Sequence, residues 1–124
     1  MAQIKTFKDL QVWQKSHQLT LEIYHTTKNF PAEEKFGLTS QIRRAAISVA
    51  SNIVEGFKRT SIKDSLNFYS IANSSLEELK YQLLLSRDLH FISDNDFNRV
   101  QYLAEEVGKL LYRWTQSSKK LLIS

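Results

Sequence analysis

Residues that interrupt regular backbone structure are rare in this sequence of 124 residues, which contains one proline and three glycines. Pro31 and Gly37 lie close together, whereas Gly56 and Gly108 stand far from each other and from that pair. Because proline interrupts helices and glycine favours turns, the long intervals between these residues suit helices of about six turns or more. The spacing therefore favours an all-α fold.

Apolar periodicity and capping residues divide the chain into four helical segments. Apolar side chains recur every three or four residues at about 7–29, 38–56, 62–89 and 94–120. Ser61 and Ser93 are expected as the N-caps of the last two helices, and Gly56 as the residue that ends the second. The short connections predict an antiparallel up-down-up-down four-helix bundle, formed as a single domain by residues 1–124.

The first two helices carry more apolar surface than one bundle core is expected to cover. In the first helix, one stripe is predicted to face the core: Leu10, Trp13, His17, Leu21 and Tyr24. A second apolar set of the same helix points well away from that stripe: Val12, Leu19 and Ile23. In the second helix, Ile47 and Val54 extend the apolar arc beyond an inner stripe of Leu38, Ile42, Ala45, Val49 and Ile53. These faces lead to the hypothesis that copies of the chain self-associate.

A stripe of polar residues runs along one edge of the second helix: Gln41, Arg44, Ser48, Asn52 and Glu55. Steps of three or four residues place their side chains in one line. Three interpretations stay open, namely a hydrogen-bonded network with a second helix or subunit, a solvated face, and contacts with the sugar and phosphate of a ligand. We favour the network, because asparagine and serine in mid-helix cost helix propensity that a solvated face has no need to lose.

Positive charge is concentrated in the middle of the chain. Residues 35–63 contain six lysines and arginines against Glu55 alone, whereas residues 64–106 contain eight acids against three basic residues. The residues that we predict to contact nucleic-acid phosphates are Arg43, Arg44, Lys58, Arg59 and Lys63. Because no base-reading motif accompanies them, we expect binding to structured RNA or DNA with little sequence specificity.

Several classes of function lack the residues that they require. With no cysteine, the chain has no disulfides, zinc-thiolate sites or thiol nucleophile. The spacing Glu-x-x-His occurs once, at Glu22 and His25, whereas Gln14 and Arg87 stand three residues before His17 and His90, so the paired Glu-x-x-His motif of di-iron bundles is missing. We expect no catalytic residues, metal or cofactor, and His17 is interpreted as a packed core or interface residue. No segment is apolar enough to span a membrane, which suggests a cytoplasmic protein.

Four segments of the sequence match the pattern of a known family: FKDLQVWQ at 7–14, FPAEEKFGL at 30–38, QIRRAAISVASNIVEG at 41–56 and IANSSLEEL at 71–79. They resemble the four-helix-bundle proteins encoded in intervening sequences of bacterial 23S ribosomal RNA genes, also called the S23 ribosomal protein family. The match covers almost the whole chain. Residues at signature positions of that family are Gln41, Arg43, Arg44, Ser48, Asn52, Glu55 and Gly56.

The resemblance implies a bundle that assembles into a homopentameric ring with a basic surface. It also implies a relationship to retroelement accessory variability determinant proteins, which have a similar fold and associate with nucleic acid. No enzyme activity is established for the family. The leading hypothesis is therefore a non-enzymatic, oligomeric, nucleic-acid-binding module. The alternative is a protein-protein scaffold or adaptor without a nucleic-acid role.

Overall fold

A computed structural model describes residues 3–122 of the chain, and these residues form four long helices and no β-strand. The helices are α1 (Gln11–Thr27), α2 (Leu38–Lys58), α3 (Ile62–Asp88) and α4 (Asp94–Lys120). Short 3-10 turns precede α1 at Phe7–Asp9 and α2 at Ala32–Glu34. The all-α prediction is confirmed. The first predicted helix, at 7–29, was too long at both ends. At its start, Leu10 has an extended backbone between the 3-10 turn and α1, and at its end α1 stops at Thr27.

Local sequence explains where the last two helices begin and end. The side chains of Ser61 and Ser93 accept hydrogen bonds from the backbone N–H groups of Asp64 and Asp96, as predicted for N-caps. After α3, His90 adopts a left-handed backbone with φ 63°. The N–H groups of His90 and Phe91 donate to the carbonyls of Arg87 and Ser86, which is the bonding pattern of a Schellman motif. His90 therefore serves as the residue that ends α3.

Each helix packs against its neighbours along the chain, and α4 packs against α1 to close the bundle. Between α2 and α3, Arg44 contacts Glu78 and Ser48 contacts Ser75. The residue numbers rise along one helix as they fall along the other, so α2 and α3 run antiparallel. Two contacts in each of the other three helix pairs show the same antiparallel order: Thr27 with Arg43 and Thr20 with Ala46, Lys80 with Glu105 and Tyr69 with Trp114, and Lys15 with Glu106 and Glu22 with Arg99.

The core face of α1 is not the predicted stripe, of which only Leu10 is buried and Trp13 half-buried. Val12, Leu19 and Ile23 are buried, whereas His17, Leu21 and Tyr24 are exposed. The buried face also carries hydroxyl groups: Ser16, Thr26 and Thr27. Each of these hydroxyls donates to a backbone carbonyl one turn earlier in the helix, which removes the cost of burying it. His17 is thus not a core residue, and its ring stacks on Trp13 with centroids 5.0 Å apart.

The inner stripes of α2 and α4 face the core as predicted. Ile42, Ala45, Val49 and Ile53 of α2 are buried, with Leu38 at their edge half-buried. Of the stripe that apolar spacing predicts for α4, the buried residues are Phe97, Val100, Leu103, Val107 and Leu111, while Leu110 and Trp114 are half-buried. Gly56 lies inside α2, two residues before its end at Lys58, and does not end the helix as predicted. A Cβ atom at Gly56 would lie 2.4 Å from Cε1 of Tyr69, so the glycine permits close packing against α3.

None of the four helices, within the residues described, combines the length and apolar character that a membrane span requires.

Candidate nucleic-acid interface

The five basic residues predicted to bind nucleic acid lie in two separate places. Arg43 and Arg44 belong to the first half of α2, and Lys58, Arg59 and Lys63 surround its C-terminal end. A helix rises about 1.5 Å per residue, so the 15 residues from Arg43 to Lys58 span roughly 22 Å. These residues therefore form two groups and not one continuous patch.

The two arginines of the first group are engaged within the bundle. Arg43 donates from Nε to Oγ1 of Thr27 at 2.9 Å, and its guanidinium lies 4.5 Å from the ring centre of Tyr24. Arg44 pairs with Glu78 of α3 at 2.6 Å and donates to Oε1 of Gln41. Arg43 thus fastens α1 to α2, while the charge of Arg44 is balanced by a carboxylate.

The second group retains more free positive charge. Arg59 pairs with Glu55 and places its guanidinium 4.5 Å from the ring centre of Phe68. Lys58 and Lys63 are exposed, and neither forms an ion pair with any other residue in the range 3–122. Two unpaired ammonium groups at one end of α2 are suited to contact phosphate as point charges.

Two members of the polar stripe, Arg44 and Ser48, bond to α3, and Gln41 and Asn52 bond to these two within α2. The Oγ atoms of Ser48 and Ser75 are 2.7 Å apart. Asn52 donates to the carbonyl and to Oγ of Ser48 at 2.8 and 3.1 Å. One turn earlier, Arg44 donates both to Oε1 of Gln41 and to Glu78, and Glu78 also accepts from Gln82. Glu55, the last member of the stripe, accepts from Arg59, which directly follows α2. Ligand binding by this stripe stays a prediction.

The antiparallel topology gathers a larger set of basic residues at one end of the bundle. The end of α2, the start of α3, the end of α4 and the segment before α1 all meet there. The groove beside Leu10 joins that segment to α4, because Ile4 and Asp9 line it together with Arg113 and Trp114. We call this region the basic end, defined by the exposed residues Lys5, Lys8, Lys58, Arg59, Lys63, Arg113, Lys119 and Lys120.

Few carboxylates offset the basic end. The acids of the same region are Asp9, Glu55 and Asp64, so eight cations face three carboxylates. This excess of five exceeds the net charge of +4 of the whole chain. Backbone N–H groups of Thr6 and Lys5 donate to the Asp9 carboxylate and lower its pKa. Asp9 therefore stays ionised to hold the 3-10 turn.

At the opposite end of the bundle, cations are matched by acids. Arg99 of α4 pairs with Glu22 of α1 and with Asp96, and Arg87 pairs with Asp88. Exposed acids of the same end include Glu33, Asp88 and Asp94. The bundle is therefore electrically polar along its long axis, with its positive field at the basic end.

An apolar surface lies on the outside of α1 and α2, away from the core. Tyr24, Phe36 and Ile47 line one groove, and Leu21 lies one turn before Tyr24. Their side chains are well exposed, at 88% for Phe36, 57% for Leu21 and 44% for Ile47. We call these four residues the α1–α2 outer face. Of the two apolar faces of α1, this is the one that the bundle leaves uncovered.

Sequence comparison identifies the family. A family model for the 23S rRNA-intervening sequence protein matches residues 8–113. The chain belongs to this family. The resemblance carried by the four sequence segments is thereby confirmed, and the match includes α1, α2, α3 and most of α4.

A solved structure of another S23 family protein supports the fold. It is a protein of unknown function from Bacteroides thetaiotaomicron with a TM-score of 0.75 and 26% sequence identity. The similarity covers 84% of this chain and 97% of that one. A search of curated proteins finds no match. Membership of the 23S rRNA-intervening sequence family therefore accounts for the fold, while the function of the relative is described as unknown.

Sequence reasoning about this family member missed five of the eight residues of the basic end: Lys5, Lys8, Arg113, Lys119 and Lys120. They stand near the two termini, far in sequence from the basic segment 35–63. These residues are found only when the charged positions are placed on the predicted topology of the helices. In an antiparallel four-helix bundle, the start of the first helix and the end of the fourth lie beside the connection between the second and third.

Proposed function

We propose that this protein is a non-enzymatic, oligomeric module that binds the phosphate backbone of structured RNA or DNA through the basic end. The single observation that carries the proposal is the excess of five positive charges at that end. Lysines supply most of this charge, and Lys58 and Lys63 have no acidic partner within residues 3–122. Unpaired surface lysines bind phosphates by releasing condensed counterions, and such binding carries little sequence preference.

Self-association, with a homopentamer as the expected form, is the second part of the proposal. The α1–α2 outer face supports it, because a second copy would cover the exposed side chains of Leu21, Phe36 and Ile47. Subunits of a closed ring are related by rotation about one axis, so each presents the same end to the same side. A pentamer would thus gather five basic ends on one rim and multiply weak phosphate contacts.

The positions of the histidines support a non-enzymatic role, since histidine is the side chain most often used for proton transfer near neutral pH. His17 stacks on Trp13 at the surface of α1, and His90 ends α3 in a left-handed conformation. His25 is exposed in the last turn of α1. Each histidine therefore occupies a separate location, and two of the three have an evident structural task.

Charge reversal at the basic end tests the nucleic-acid part of the proposal. We expect Lys58→Glu with Lys63→Glu to weaken binding of a labelled RNA hairpin by at least tenfold, as measured by fluorescence anisotropy at a fixed salt concentration. Both lysines are exposed, so the double variant should keep its circular dichroism spectrum and its oligomeric mass.

The matched control is Lys28→Glu with Lys35→Glu at the opposite end of the bundle. It changes the net charge by the same amount, and both of these lysines are also exposed. We expect the control to keep its oligomeric mass, which is measured because Lys35 lies beside Phe36 of the α1–α2 outer face. It should bind the hairpin within about twofold of the wild type, since charges at that distance are largely screened by salt. If both double variants lost RNA affinity equally, the change in net charge alone would explain the loss, and a site at the basic end would be refuted. No binding by the wild-type protein would favour the protein-only scaffold.

A further inference from the structure

Two exposed tyrosines on α4 have no internal role in the bundle. Tyr102 and Tyr112 are 75% and 66% exposed, respectively. Within the described part of the chain, neither ring packs against another aromatic ring or lies under a cation. By contrast, Tyr24 lies under Arg43, and Tyr69 is buried against Trp114. Tyr102 and Tyr112 therefore offer free aromatic faces to a ligand.

Two basic residues connect the tyrosines. Lys109 and Arg113 both line the groove that contains Tyr102, on the α1 side of α4. They also both line the groove that contains Tyr112, on the α3 side of the same helix. The two grooves thus meet at Lys109 and Arg113. We call these four residues the tyrosine track.

The acids beside the tyrosine track are occupied by other cations. Glu77 and Glu105 both pair with Lys80, at 3.2 and 3.3 Å, and Glu106 pairs with Lys15 at 3.5 Å. Lys109 and Arg113, by contrast, have no ion pair with any residue from 3 to 122. Arg113 also belongs to the basic end, together with Lys120, which lies two turns further along the exposed side of α4. Unpaired positive charge is therefore continuous from the basic end to the two tyrosines.

We infer that the tyrosine track binds unpaired segments of nucleic acid, with bases stacking on Tyr102 and Tyr112 and phosphates contacting Lys109 and Arg113. The inference rests on the proposed function and adds a preference for single strands next to structured regions. Aromatic faces combined with a positively charged groove are what binding of single strands requires, because every exposed base can stack. Bases inside a duplex are already stacked on each other and cannot contact these rings in the same way.

The tyrosine variants test the inference with two ligands. We expect Tyr102→Ala and Tyr112→Ala each to raise the Kd for a labelled oligouridylate of about 12 nucleotides by roughly five- to 100-fold. The Kd for a blunt RNA duplex of equal length should change by less than about twofold, since phosphates dominate that contact. Tyr102→Phe and Tyr112→Phe should retain binding to the single strand, because the ring is kept and only the hydroxyl is lost.

Tyr81→Ala is the matched control. Tyr81 is 62% exposed on α3, close to the exposure of the other two rings, but its neighbours one turn earlier are Glu77 and Glu78. We expect this variant to bind the oligouridylate as the wild type does. Unchanged single-strand binding in both α4 variants would refute the inference while leaving duplex binding intact. A fall in oligomeric mass in the same variants would also refute it, by assigning the tyrosines to a subunit contact. Failure of the wild type to bind either ligand would refute the proposed function itself.

Discussion

Gly56 and Gly108 show how the same residue type has different consequences at two positions. A Cβ atom at Gly56 would lie 2.4 and 2.8 Å from ring atoms of Tyr69. The Tyr69 ring is buried and packs edge-on against Trp114. Burial also raises the pKa of the Tyr69 hydroxyl. At Gly108 the nearest atom to an added Cβ is Cδ2 of Leu76 at 3.4 Å, with Lys80 Nζ at 3.7 Å. Close packing therefore requires a glycine at position 56 but not at position 108.

We expect Gly56→Ala to lower the free energy of unfolding by about 1–3 kcal/mol, because Tyr69 cannot move away from the added methyl group without disturbing Trp114. Gly108→Ala should leave stability unchanged or raise it by up to about 1 kcal/mol, since alanine is the better helix former. Urea denaturation followed by circular dichroism measures both values. A stable Gly56→Ala variant would show that the contact between α2 and Tyr69 relaxes easily.

At the scale of the helices, the sequence predicted the packing faces of α2 and α4 and the wrong face of α1. For α4, apolar residues occupy one side only, so periodicity identifies its core. In α1 both sides carry apolar residues, and the side that is buried also carries Ser16 and Thr27. Polar residues count against burial in any sequence pattern, yet these hydroxyls are satisfied by carbonyls of their own helix. Only the packed neighbours determine which side of such a helix enters the core.

The corrected face of α1 changes the residues expected at a subunit contact. We predict that gel filtration with light scattering reports a mass several times 14.5 kDa for the wild type. Leu21→Lys with Ile47→Lys should lower that mass toward one chain, because charged side chains would enter an apolar contact. Ile71→Lys is the control, since Ile71 is 48% exposed on α3, outside the α1–α2 outer face. A monomeric wild type at micromolar concentration would contradict the oligomer.

At the scale of the whole molecule, the charge pattern becomes clear only after the chain is folded. The sequence placed Lys58, Arg59 and Lys63 in a basic segment together with Arg43 and Arg44. Folding separates the two arginines from this group and adds Lys5, Lys119 and other residues from near the termini. The approximate helix positions and the N-caps Ser61 and Ser93 follow from local spacing, and these were predicted correctly. The basic end depends on which helix ends meet, and that information lies in the topology.

The salt dependence of nucleic-acid binding tests the basic end most directly. For a duplex, the slope of log association constant against log salt concentration should be steep and negative for the wild type. In Lys58→Gln with Lys63→Gln, it should become shallower by about 0.9 for each lysine lost. Lys28→Gln with Lys35→Gln should keep the wild-type slope. A flat wild-type slope, or equal slopes for all three proteins, would contradict phosphate binding at this end of the bundle.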